Sequence, residues 1–266
     1  MLAPSARRSL RAGLLLVAML APLAQAQPAA ASSPAPTRTI AVISLIGDKI
    51  DVVTAVPHTG RLLDANDHLI VPFSAAGLDF TALGAAKAVL GKFDPTLDIA
   101  LLAASKPETY EAQAGIVDGD HVKLPDEIAT ALAREHAVQL VLLTKYRGDA
   151  RLEGGNGALG NGKIGGLGFY LDSTEWIRSS KTGTTERGMI APFAYVEITL
   201  IDVATNAVVR HTNATSSYLL GTAGMPVDVN PWNVLTPEQK LDALKRVLER
   251  AVRKGVPAVM NAAAAK

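Results

Sequence analysis

A glycine-rich stretch is the part of this sequence where residue types and spacing most resemble a chemical site. Eight of the fifteen residues from Gly154 to Gly168 are glycine. The stretch contains the G-x-G-x-x-G pattern of dinucleotide sites, at Gly160, Gly162 and Gly165. The run from Gly157 to Lys163 also matches the Walker A pattern up to its last position, where Ile164 replaces Ser or Thr. Both patterns are typical of phosphate binding, because glycines let backbone N–H groups approach an anion.

The residues that follow favour a different interpretation. A phosphate loop needs a helix directly after it, since the helix N-terminus supplies unpaired N–H groups and a positive dipole end. Here GGLGFYLDST follows, a run of glycines and strand formers. We therefore predict no bound cofactor and a hairpin connection between two strands, with nucleotide binding as the minor alternative. If this loop contacts a partner, the candidate contact residues are Gly155, Asn156, Gly157, Asn161, Gly162 and Lys163.

Titratable residues offer only weak candidates for catalysis or metal binding. The five histidines show no H-x-x-x-H spacing, and there is no G-x-S-x-G elbow around a serine. We predict no metal, although a zinc or carboxylate site assembled from distant positions stays open. A hydrolase would bring several of these side chains into one pocket. We would expect that pocket to hold three or more of Asp48, Asp51, His58, Asp64 and His121.

The first half of the chain has the pattern of an α/β unit. The β-branched run from Thr39 predicts a central strand buried on both faces, and IDVVTAV with DANDHLIVP predicts a hairpin. A helix is expected over residues 78–90, ended by Gly91, and a short strand over 98–104. A second helix from Pro125 leads directly into a strand from Val138, which is typical of a crossover to a parallel strand.

The second half of the chain predicts an antiparallel meander and a terminal helix. Four strand-like runs span residues 138–152, 163–174, 189–203 and 207–220. Thr236 to Gln239 forms a capping-box sequence, followed by an apolar stripe that should lie on the sheet. The fold class predicted is therefore α/β (α+β), a mixed sheet with helices packed on it.

The amino terminus and the composition indicate export. Arg7, Arg8 and Arg11 precede an apolar core that ends in an A-x-A site, so cleavage is expected between Ala26 and Gln27. The apolar core is shorter than the roughly 20 residues of a membrane-spanning helix, and both the Sec and the twin-arginine route stay open. There is no cysteine. Without the leader, 23 basic residues stand against 25 acidic ones, which gives no electrostatic reason to bind nucleic acid.

Three segments carry a resemblance to known proteins. IAVISLIG, AVQLVLLTKY and FAYVEITLIDVATNAVVRHTNA with the terminal helix resemble periplasmic α/β modules of the TolB amino-terminal and CsgG type. GLGFY and APFAY, at residues 166–170 and 191–195, are similar to segments of uncharacterised exported proteobacterial proteins. The chain departs from TolB in having no propeller and from CsgG in having no lipidated cysteine. The resemblance implies docking or assembly in the cell envelope and transfers no catalytic residue.

These observations predict an exported single-domain protein. The expected divisions are a signal peptide over residues 1–26, a disordered linker over 27–38, one α/β domain over 39–258 and a frayed tail over 259–266. The predicted function is a non-catalytic periplasmic binding or assembly module that takes an envelope protein by strand addition to a sheet edge. A periplasmic hydrolase with a dispersed acidic or histidine site is the alternative.

Overall fold

The computed structural model describes residues 38–56, 66–73, 77–154, 157–178, 183, 185–220 and 230–261. The strands are β1 (Thr39–Ser44), β2 (Lys49–Thr54), β3 (Asp67–Pro72), β4 (Asp98–Ala103), β5 (Val117–Asp118), β6 (His121–Val122), β7 (Gln139–Lys145), β8 (Arg147–Asp149), β9 (Leu152–Gly154), β10 (Gly157–Leu159), β11 (Lys163–Arg178), β12 (Thr185–Asp202) and β13 (Ala207–Ser217). The helices are α1 (Gly77–Phe93), α2 (Pro107–Glu111), α3 (Asp126–Arg134), α4 (Pro231–Val234) and α5 (Pro237–Met260), with a 3₁₀ turn at Ala112–Gly115.

A mixed sheet is built around the long strand β12. Along one edge β12 pairs with β13, and along the other it pairs first with β11 and then with β7. Two half-sheets result, one in the order β4-β1-β7-β12 and the other in the order β3-β2-β11-β12. The β1–β7 and β2–β11 pairs are parallel, whereas β12 is antiparallel to its three neighbours. The α+β class, the mixed sheet and the antiparallel meander β11-β12-β13 are as predicted.

The junction of the two half-sheets, which we call the seam, is where the chain leaves regular pairing. β1 ends at Ser44 and β2 begins at Lys49, so the four residues between them cross the seam. The neighbouring strands are interrupted at the same level of the sheet. There β7 ends at Lys145, and β11 begins at Lys163 after the excursion of the chain through β8, β9 and β10. Leu45 N–H still donates to the carbonyl oxygen of Leu143, but the N–H groups of Ile46 and Gly47 have no backbone acceptor among the described residues and need hydrogen bonds from elsewhere.

Helices cover both faces of the first half-sheet. α1 and α5 pack together on one face, where their apolar stripes join one core with the strands beneath. α3 packs through Ile128 and Leu132 against the opposite face of β1 and β7. A third cluster, which includes Tyr170 and Tyr195, lies under the excursion that contains β8 to β10. Among the described residues, no helix is long and apolar enough to cross a membrane.

Local predictions were mostly confirmed. β2 and β3 form the predicted hairpin, and α3 begins beside Pro125. The capping box of α5 is present: Gln239 N–H donates to Thr236 Oγ1, and Thr236 N–H donates to Gln239 Oε1. The run predicted as one strand over residues 138–152 is instead divided into β7, β8 and β9.

The predicted stop of α1 at Gly91 was wrong. The helix continues to Phe93, because a glycine in a helix interior costs only about 1 kcal/mol and packing can override it. The true end coincides with the Asp94-Pro95 pair. The Asp94 carboxylate accepts the N–H of Thr96, which closes a turn there.

Candidate functional site

The glycine-rich stretch forms a small hairpin and then enters the sheet. β9 pairs with β10, and the chain continues into β11, which is a strand where a phosphate site would have a helix. This geometry confirms the hairpin interpretation. Gly155 and Asn156 lie outside the described residues, Gly157 is exposed and Gly162 is buried. Lys163 forms an ion pair with Asp149.

Two glycines of this stretch are required by close backbone packing. Gly166 has φ +65°, a conformation that other residues rarely adopt. A Cβ on Gly168 would lie 1.8 Å from the backbone oxygen of Asp51, so only glycine lets β11 approach β2 here. At these two positions glycine is therefore explained by the backbone conformation and close pairing of β11.

Asn161 fastens the hairpin to the body of the protein. Its N–H donates to the Tyr170 hydroxyl over 3.0 Å, and that hydroxyl donates to Asn161 Oδ1 over 2.8 Å. Asn66 Nδ2 also donates to the Asn161 carbonyl oxygen over 2.8 Å. Burial raises the pKa of Tyr170 to about 12, so its proton stays available for this bond. The interaction of this loop with a partner stays a prediction.

The dispersed acidic and histidine candidates do not gather in one place within the described residues. Asp48 lies at the seam, whereas Asp51 contacts His68 Nδ1 over 2.9 Å on the β2–β3 hairpin. His121 is in β6, beside β13. His58 and Asp64 lie outside the described residues. In the same part of the chain, no group of three His, Asp or Glu side chains could hold a metal ion.

A different polar group occupies the seam. This seam cluster consists of Ser44, Asp48, Asp79, Tyr110 and Lys145. Asp79, in the first turn of α1, is only 4% exposed and accepts four hydrogen bonds. Its Oδ1 accepts from the Ser44 hydroxyl and from the N–H groups of Ile46 and Gly47, both at 3.1 Å, while its Oδ2 accepts from the Tyr110 hydroxyl at 2.9 Å.

Between β1 and β2, Asp79 supplies the hydrogen-bond acceptor that a neighbouring strand would otherwise provide. The two backbone N–H groups that it binds lie between these strands, where no neighbouring strand supplies a carbonyl. Gly47 makes this approach sterically feasible, because a Cβ there would lie 2.6 Å from Asp79 Oδ2. The carboxylate therefore joins the two half-sheets and also holds Tyr110 over the cleft described below.

The remaining members of the cluster are also held in place. Lys145 forms an ion pair with Asp48, and Lys49 approaches the same carboxylate at 3.6 Å. Burial lowers the pKa of Lys145 and outweighs the opposite effect of Asp48. Burial, followed by the charge of Asp79, raises the pKa of the Tyr110 hydroxyl, which therefore stays a protonated donor. A catalytic acid or base works best with a pKa near the ambient pH, and Tyr110 is moved away from it.

A cleft opens beside the seam cluster at the carboxyl ends of β1 and β4. At this point β1 crosses the seam into β2, whereas β4 leads into α2. The cleft, which we call the β3 cleft, has a volume of about 820 Å³. Its polar side holds Asp48, Lys49 and Tyr110; its apolar wall is formed by Ile70, Pro72, Phe73, Ala104 and Pro107.

One wall of this cleft belongs to an edge strand. Among the described residues β3 pairs with β2 alone, so its other edge has no strand beside it. Leu69 and Ile70 are 63% and 51% exposed, and they point to opposite faces of β3. Exposed apolar edge strands are unusual in soluble proteins, because they invite pairing with another chain.

Comparison with solved structures finds matches at low similarity. A Xanthomonas campestris protein of the DUF330 family superposes with TM-score 0.35 and 9% identity, covering 88% of this chain and 95% of that one. The PelC dodecamer from Paraburkholderia phytofirmans gives 0.29 and 12%, covering 85% and 91%. A neuraminyllactose-binding hemagglutinin homologue from Helicobacter pylori gives 0.32 and 7%, covering 84% and 80%.

No family model matches the sequence, and no curated protein matches it. Identities of 7–12% with TM-scores below 0.5 carry no inference about what this chain does. The resemblance to TolB and CsgG modules stays a prediction.

Sequence reasoning missed the seam cluster. Asp79 was visible only as an acidic residue in a helix first turn, a common and uninformative position. A partial signal existed at one strand end, because Ser105 follows the strand predicted over residues 98–104, whereas Ser44 and Lys145 lay inside longer predicted runs. Where parallel strands end together, such polar residues meet at one edge.

Proposed function

We propose that this chain is a non-catalytic binding or assembly module of the cell envelope. In this proposal it takes up an extended segment of a partner protein along the outer edge of β3. The observation that carries the proposal is the exposure of Leu69 and Ile70 on an edge strand. Strand addition gains affinity from main-chain hydrogen bonds and specificity from pockets for alternate side chains.

The β3 cleft supplies such a pocket. Ile70 faces it, so side chains of an added strand that point to the same face would lie beside Pro72 and Phe73. Apolar side chains would pack against this wall, and an acidic one could reach Lys49, whose side chain is 43% exposed. The edge strand of the other half-sheet, β4, lies on the same side of the sheet and exposes one large apolar side chain, Leu101, at 40%, so it is the weaker candidate.

The chemistry of the seam cluster supports binding over turnover. The Asp79 carboxylate is occupied by four donors, and Lys145 is paired with Asp48. Tyr110 keeps its proton because its pKa is raised. These groups position a surface, and none is poised to accept a proton from a substrate.

Site-specific photo-crosslinking in cells tests the proposal. A photoreactive amino acid at position 69 or 70 should capture one envelope protein, and Leu69→Lys should abolish capture from position 70, because lysine on an edge strand disfavours pairing. Position 209 in β13 is the matched control, since Val209 is an exposed apolar strand residue at 46%. Equal capture from position 209 would refute the β3 edge as the docking site. Turnover of ester, phosphate or glycoside substrates by the purified chain would favour the hydrolase.

The proposed compartment has its own test. Cell fractionation followed by mass spectrometry should find the chain in the periplasmic fraction with Gln27 as its first residue. A cytoplasmic chain that retains residues 1–26 would contradict both the predicted leader and the proposed location.

A further inference from the structure

A second cavity lies beside the β3 cleft and shares Lys49, Tyr110 and Glu111 with it. Its floor is the face of β7, β12 and β13 that carries Thr144, Glu197 and His211, and its cover includes the 3₁₀ turn and β5. We call this cavity, of about 530 Å³, the Glu197 pocket.

Strand register brings the three floor residues to one face. Glu197 lies directly opposite Thr144 of β7, and Thr199, two residues further along the same face, lies opposite His211 of β13. Side chains two residues apart on a strand point to the same side. The cover is fixed over them by Gln113, whose Oε1 accepts the N–H of Lys145 and whose Nε2 donates to the carbonyl of Tyr110.

The polar groups of the pocket differ in how they are satisfied. Thr144 is only 7% exposed, and its hydroxyl has no hydrogen-bond partner among the described residues. The half-buried Glu197 carboxylate likewise has no ion-pair or hydrogen-bond partner within that part of the chain. The two ammonium groups, by contrast, share Asp48: Lys145 is bound to it, and Lys49 lies 3.6 Å from it.

The unused groups therefore form an acceptor site. A buried hydroxyl without a partner costs stability, and the carboxylate beside it is not ion-paired with either lysine of the pocket, because both lysines lie at Asp48. We infer that the Glu197 pocket binds a ligand carrying a protonated amine or a guanidinium group. Its N–H donors would be accepted by the Glu197 carboxylate and the Thr144 hydroxyl, with Glu111 at the rim adding a second negative charge. This inference does not rest on strand addition at β3, although the two cavities share three lining residues.

Titration of the full-length chain with small cations, followed by backbone amide NMR, tests the inference. Cadaverine probes a free diamine, and N-acetyl-lysine-methylamide probes the side chain of a bound peptide. The uncharged isostere 1,5-pentanediol and sodium acetate are the comparison ligands. We expect saturable shifts at Thr144, Glu197 and His211 with at least one of the two cations and none with the diol.

Variants decide whether the named groups are responsible. Glu197→Gln should weaken binding about fivefold or more, because it replaces a charge-assisted hydrogen bond by a neutral one. Thr144→Val, which keeps the shape and removes the hydroxyl, should also weaken it. Glu249→Gln removes the same charge from exposed α5 and should leave affinity unchanged. Unaltered amide spectra of the free variants establish that they fold.

Three results would overturn the inference: no saturable shift with either cation, equal affinity in Glu197→Gln, or shifts in the pocket with acetate alone. The last would mean that the lysines bind an anion there. Binding of cadaverine but not of the lysine derivative identifies a small amine as the ligand, and the reverse identifies a partner side chain.

Discussion

Replacing Asp79 by alanine should lower the free energy of unfolding, because the Asp79 carboxylate binds the segment that connects the two half-sheets. The variant would leave the N–H groups of Ile46 and Gly47 without an acceptor at the seam. An unsatisfied buried donor costs about 1–3 kcal/mol, so the two together cost about 2–6 kcal/mol. Some of this cost is relieved, because the adjoining β3 cleft can admit water. We expect a loss of about 3 kcal/mol in the free energy of unfolding.

Asp79→Asn is the matched control for the charge. Its amide oxygen can still accept both N–H groups, while its NH₂ can donate to the Tyr110 oxygen. We therefore expect a loss of only about 1 kcal/mol, since the hydrogen bonds become neutral. Tyr110→Phe and the double variant complete a mutant cycle, and their coupling to Asp79 should be about 1 kcal/mol or more.

Urea unfolding followed in parallel by circular dichroism and tryptophan fluorescence measures these values and checks that both probes share one transition. The seam explanation fails if Asp79→Ala costs less than about 1 kcal/mol. It also fails if Asp79→Asn costs as much as Asp79→Ala, because charge would then be the dominant contribution.

Three further predictions concern packing, capping and alkaline pH. Gly255→Ala places a methyl group 2.8 Å from Ala214 Cβ, so urea unfolding should show a loss of about 1–2 kcal/mol. Gly84→Ala, with nothing within 4 Å, should gain up to about 1 kcal/mol from helix propensity; the same sign for both variants would contradict this packing. Thr236→Ala removes the capping hydroxyl and should lower stability by about 1 kcal/mol in thermal unfolding, and an unchanged midpoint would refute the cap. The pKa of Tyr170 is raised from 10.0 to about 12, so the stability it contributes is complete below pH 10 and is lost as pH rises to about 12. Tyrosinate absorbance should show this, and Tyr170→Phe should remove that part of the pH dependence.

The elements that sequence could predict are those with local causes. The capping box at Thr236, the turn between β12 and β13 and the apolar run of β7 all depend on neighbours in the chain. The partner of each strand is a different matter, because β7 could pair with any exposed edge on pattern alone. β12 pairs with both β7 and β11 along one edge because it is 18 residues long. The strand predicted from the sequence was shorter, so it did not indicate this double pairing.

The candidate site follows from that unpredicted pairing. The sequence does not show that β1 stops at Ser44 and that β2 takes up the same position in the sheet beyond the seam. Nothing in it therefore marks Ile46 and Gly47 as donors in need of an acceptor. Asp79 lies more than thirty residues away in sequence, and its role exists only because α1 returns to this point. The acidic and histidine residues singled out from the sequence were chosen by type, and type does not determine which of them meet in space.

The seam links the proposed docking edge to the cleft beside it. β3 and β4 are the outermost strands of the two half-sheets, on the same side of the sheet, and both end at the seam. The β3 cleft therefore lies where a continuous edge would otherwise run, and Asp79 keeps the neighbouring strands in register across the gap. Main-chain pairing with a partner strand needs only a sheet edge and does not require an interruption of the sheet. Division into half-sheets gives this one an edge for main-chain pairing and a pocket beside it, the two features that strand addition needs for affinity and for choice of partner.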